Sequence, residues 1–89
     1  MERKELQRTL ASLHEELRRS QPLDDDAREL LETLARDIER QLHPGAREPE
    51  VLDALGRRLG EAIERFEESH PALTAAVNRV ADALARLGI

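Results

Sequence analysis

Leucines recur at alternating spacings of four and three residues in the first part of the chain. Such spacing places apolar side chains on one face of an α-helix, and it predicts a helix over about 4–19. Pro22 ends this helix, because proline disfavours helical backbone in the residue before it. The apolar face consists of Leu6, Leu10, Leu13 and Leu17.

A second helix is predicted over about 24–42. Asp24 is suited to be its N-cap, and the acids at 25 and 26 complement the positive end of the helix dipole. The acidic run lacks the spaced acids, central glycine and final glutamate of a calcium loop, so we interpret it as structural. The apolar positions of this helix are Ala27, Leu31, Leu34, Ile38 and Leu42.

Two prolines and a glycine break the helical pattern at 43–49. A third helix is predicted over about 50–69, with Pro49 suited to its first turn. Gly56 and Gly60 lie inside it and mark either a close helix crossing, a hinge, or a tolerated weak stretch of helix. We favour the tolerated stretch. The apolar positions are Leu52, Leu55, Leu59, Ile63 and Phe66.

The most regular apolar series runs through the last third of the chain and predicts a helix over about 71–87. Pro71 either begins this helix or kinks one long helix that continues from the third, and we favour a break or sharp kink. Gly88 is suited to a C-terminal cap in which Ile89 folds back on Leu84. The series is Phe66, His70, Leu73, Val77, Val80, Leu84 and Leu87.

These segments predict an all-α fold in a single domain, 1–89. It is a helical hairpin or up-down bundle of three to four amphipathic helices, in which the last two possibly form one long kinked helix. Opposite charges four residues apart suit the outer faces of the helices. The expected pairs are Glu15–Arg19, Glu32–Arg36, Asp53–Arg57 and Glu61–Arg65.

Composition excludes several classes of function. The chain has 37% charged residues, a net charge of −5 and no cysteine. An acidic protein with no basic stripe and no stacking aromatics is a poor candidate for nucleic-acid binding. Glutamate and arginine mixed on the polar faces disfavour membrane-surface binding, and no apolar run is long enough to span a membrane. No signal peptide is expected, and the composition favours a cytoplasmic protein.

A block near the end of the third predicted helix resembles a known family. It reads Arg65-Phe66-Glu67-Glu68-Ser69-His70-Pro71-Ala72-Leu73, and it is accompanied by a Leu-rich opening at 5–17 and a Leu87-Gly88-Ile89 end. The chain resembles, nearly end to end, a family of short bacterial proteins whose domain has no known function. The resemblance implies a helical bacterial protein and brings no activity, cofactor or catalytic residue.

One short motif suggests chemistry. Glu67 and His70 form Glu-x-x-His, the pair that builds carboxylate-bridged metal sites in four-helix bundles, and Glu61 or Glu64 would supply further carboxylates across a dimer. We favour the simpler interpretation, in which His70 caps or packs at a bend. His14 and His43 are far from it in sequence, the first being expected at a boundary of the bundle and the second at the end of the second helix.

The remaining prediction concerns self-association. A core of leucine and alanine buries little surface per residue, so we expect the last apolar face to pair with a second copy. The preferred assembly is a homodimer, and a tetramer is the second choice. The predicted function is a non-catalytic, self-associating structural or adaptor protein without cofactor; the alternative is a metal-binding bundle using Glu67 and His70. The predicted self-association face is Phe66, Leu73, Val77, Val80, Leu84 and Leu87.

Overall fold

A computed structural model describes residues 2–19, 23–43, 45 and 48–88, apart from the side chains of Glu2 and Leu87. It contains four helices: α1 (Glu2–Arg19), α2 (Asp25–Gln41), α3 (Pro49–Phe66) and α4 (Pro71–Gly88). The described residues form no strand. The predicted all-α bundle is therefore confirmed.

Pro71 separates two helices instead of kinking one. The helix predicted to run to 69 ends at Phe66, and a turn at 67–69 leads to α4. The carbonyl of His70 accepts the first backbone bond of α4, from the amide of Thr74 at 2.9 Å. Because Pro71 has no N–H and restricts the backbone of His70, a new helix begins here at little cost.

The helices follow one another round the bundle in chain order, and each neighbour is antiparallel to the next. Arg3 at the start of α1 donates to the carbonyl of Leu42 after α2. Arg28 near the start of α2 donates to the carbonyl of Leu17 near the end of α1. Arg86 at the end of α4 pairs with Glu5 at the start of α1. The first two contacts also satisfy carbonyls that a helix end leaves without an internal partner.

A single apolar core runs along the axis of the bundle. The backbones of α1 and α4, and of α3 and α4, approach most closely, because the buried residues of α4 include the small Ala76 and Ala83. Ile63 is only partly buried, contrary to its predicted core position, and Ala62 lies in the core instead. The largest fully buried side chains are Leu6, Leu13, Leu31, Leu34, Ile38, Leu59, Leu73, Val77 and Val80.

The loop between α2 and α3 is held by a buried polar side chain. Gln41 is 7% exposed, and its Oε1 accepts the backbone N–H of Glu48 at 2.7 Å. Gly45 has φ of +79°, a left-handed conformation that favours glycine. Asp24 is the N-cap of α2, as predicted, and its carboxylate accepts the amide of Ala27 at 2.8 Å.

Candidate functional site

The face assigned to self-association is the inner face of the bundle. Its described members, which are Phe66, Leu73, Val77, Val80 and Leu84, are between 0 and 5% exposed within the single chain. The side chain of Leu87 lies outside the described residues. These side chains contact the core of their own molecule. Phe66 and Leu84 also border surface grooves, but the five side chains together do not form a surface open to a second molecule.

The described apolar faces of the four helices are therefore covered within one chain, and the expected surplus of apolar surface on the last helix is not found. Four helices in square arrangement let each apolar face cover its neighbours, which a count of apolar positions along the sequence does not show. The Cα radius of gyration is 12.3 Å, close to the roughly 12 Å expected for a compact chain of this length. The homodimer stays a prediction, and it needs a different surface.

The Glu-x-x-His pair does not lie on one helix. Glu67 is exposed in the turn after α3, whereas His70 lies beyond that turn, directly before α4. His70 packs edge-to-face against Phe66, with ring centroids 6.1 Å apart, and its Nδ1 lies 3.0 Å from the hydroxyl of Ser69. This is the packing at a bend that we favoured. Within the described residues no three acids or histidines are grouped so that they would hold a metal ion.

The other two histidines border a groove between α1 and α2 of about 350 Å³. His14 is half-exposed, and its Nε2 lies 3.1 Å from Glu39 Oε1 on α2. Arg3, on the same groove, donates to the backbone carbonyl of Leu42. The polar side chains here connect α1 to α2 at the surface, which is a structural role.

A second groove lies between the first half of α3 and the last half of α4, and its volume is about 490 Å³. Small and apolar residues form most of it, and Asp53 and Arg57 are its charged members. Gly56 lines this groove, and an added Cβ at Gly56 would meet no heavy atom within 4 Å, so α3 leaves open space there. The small and apolar lining is Pro49, Leu52, Gly56, Ala81, Leu84 and Ala85.

Nearly the whole chain matches a known protein family. Over residues 6–89 the chain matches the family described as "Domain of unknown function (DUF4404)". The chain belongs to this family. No curated protein and no solved structure matches the chain.

The DUF4404 assignment agrees with the family resemblance noted in the sequence, and it brings no activity to any residue. None of the helices in the described part of the chain has the length and hydropathy that a membrane span requires. A proposal about function therefore has to be argued from the surface of the bundle.

Sequence reasoning missed the outer face of α3. The two glycines were interpreted as tolerated, and the charges around them as pairs within the helix. In the structure an added Cβ at either glycine would meet no heavy atom within 4 Å, and Gly56 lies beside Asp53 and Arg57 in the groove between α3 and α4. The spacing of the two glycines and the order of the charges on α3 could have indicated this open face from the sequence.

Proposed function

We propose that this protein is a non-catalytic, self-associating helical module that acts as a structural or adaptor protein through contacts on the outside of its bundle. The observation that carries the proposal is the open groove between α3 and α4. Its lining is mainly glycine, alanine, leucine and proline. Such a lining suits the close approach of another helix, and it offers little for binding or converting a small polar substrate.

The expected assembly is a homodimer, with a tetramer as the next possibility. Closed two-fold pairing is the commonest arrangement of soluble oligomers. A helical partner protein is compatible with the same groove, and for it we propose no identity. The lack of cysteine supports a reducing compartment, and we propose the bacterial cytoplasm as the location.

Sedimentation equilibrium from about 1 µM to about 1 mM tests the proposal over the range in which weak protein contacts form. We expect the mean mass to rise from the 10.1 kDa of one chain towards twice that value. A mass that stays at one chain over the whole range would remove self-association from the function.

A further inference from the structure

The outer face of α3 carries a charged residue at every fourth position. The signs alternate along the helix in the order Asp53, Arg57, Glu61 and Arg65. All four side chains are exposed. Because four residues make slightly more than one turn, they form a ridge that winds slowly round the outside of α3. We call this ridge the α3 charge row.

Among the described residues, no ion pair neutralises the α3 charge row. In α1 the same spacing brings Glu15 and Arg19 to 3.6 Å. No ion pair within 4.0 Å joins neighbouring members of the α3 row in the described structure. Arg65 instead lies over the ring of Phe66, with its guanidinium carbon 5.5 Å from the ring centroid. The carboxylates of Asp53 and Glu61 and the guanidinium of Arg57 are therefore available to another molecule.

The α3 charge row is complementary to the same row of a second α3 that lies antiparallel to it. If a second α3 lies antiparallel, Asp53 of each copy faces Arg65 of the other, and Arg57 of each copy faces Glu61 of the other. The result is four opposite-charge pairs. A parallel copy in the same register would place like charges together, which is unfavourable. Antiparallel pairing is also what a two-fold axis perpendicular to the helix produces.

The glycines allow the two helices to approach. Gly60 lies beside the middle of the α3 charge row, and Gly56 lies one turn before it. Because there is open space at both positions, the backbone of another helix can come near the backbone of α3. Small residues have this effect where helices cross closely. Small residues alone would accept many partners, whereas the order of the charges selects a second copy.

We propose that α3 is the self-association surface. It pairs antiparallel with α3 of a second copy, and the pairing is centred on Arg57 and Glu61. This inference rests on the proposed function and names its surface and partner. Two crossing helices bury less than the roughly 1,200 Å² of a standard interface. The dimer is therefore expected to dissociate on dilution within the micromolar range.

Charge reversal and restoration test the pairing. Arg57→Glu or Glu61→Arg alone replaces two attractive pairs by two repulsive ones, and each change should weaken the dimer by about ten- to hundredfold. The double variant restores opposite charges between the copies, so its dissociation constant should return to within about threefold of the parent value.

The matched control is on α2. Arg36→Glu and Glu32→Arg make the same changes of net charge at exposed positions four residues apart. Neither control should change the dissociation constant by more than about threefold, because both lie outside the proposed interface. Circular dichroism of every variant would verify that the helices are retained.

Gly60→Leu provides a test that does not depend on charge. Gly60 is exposed and an added Cβ there meets no heavy atom within 4 Å. Because leucine also favours helix, the variant should fold, yet it should block the approach of the second α3 and weaken the dimer at least about tenfold.

The outcomes separate the two proposals. A parent protein that remains one chain at about 1 mM overturns both. A dimer that is unchanged by Arg57→Glu and Gly60→Leu, or that the double variant does not restore, overturns the α3 pairing and leaves self-association standing.

Discussion

Replacing the glycines of α3 by alanine should make the protein more stable. Gly56 and Gly60 are both inside an 18-residue helix, where glycine costs about 1 kcal/mol relative to alanine. The cost is entropic, because the unfolded chain has more freedom at glycine. An added methyl group meets no heavy atom within 4 Å at either position. No packing penalty therefore offsets the gain.

The expected gain in the free energy of unfolding is the sum of the contributions of these two sites. Each substitution should add about 1 kcal/mol to the free energy of unfolding, and the pair about 2 kcal/mol. For a domain of this length, 1 kcal/mol raises the melting temperature by roughly 4–8 °C. Thermal and urea unfolding followed by circular dichroism would measure both quantities, at a few micromolar protein so that association contributes little.

A control of opposite sign lies in the same chain. At Gly45 the backbone φ is +79°, so Gly45→Ala should lower the melting temperature although the space around it is also open. If Gly56→Ala or Gly60→Ala leaves the melting temperature unchanged or lowers it, the description of α3 as a regular helix with open space at its glycines is incorrect.

Two further substitutions examine the core and the α2–α3 loop. Val80 is fully buried, so Val80→Asp should cost about 3 kcal/mol or more and unfold much of the protein, whereas Asn78→Asp on the exposed side of α4 should retain the native circular dichroism spectrum. Gln41→Ala removes the acceptor of the Glu48 amide and should lower the free energy of unfolding by about 1–3 kcal/mol; in urea titration, the same midpoint for Gln41→Ala and the parent would contradict this role.

The helices were largely predictable from local sequence. The alternation of three- and four-residue spacings located every apolar face, and Asp24 was correctly identified as an N-cap. Pro71 was favoured as a break or a sharp kink, and the structure has a break, although α3 ends at Phe66, three residues earlier than expected. These features depend on backbone restrictions and helical periodicity within a few residues, which the sequence contains directly.

The interpretation of the surface was less successful. Asp53 and Arg57 have the spacing of a helical ion pair, but they do not form one in the described structure. Glu67 and His70 also have the spacing of a metal-binding pair, which we had not favoured, and the end of α3 removes them from a common helix. Side-chain pairing at exposed positions depends on small energies and local geometry, so spacing alone does not decide it.

The sequence by itself determined that the chain is a set of three to four amphipathic helices with one apolar face each, because periodicity and proline act locally. Only the tertiary structure decided what covers those faces. The four faces converge on one axis, so Val77 and Val80 are buried inside the single molecule and the outer side of α3 remains open. Coverage depends on how distant segments are placed relative to one another, and the spacing of residues along one helix does not contain that information.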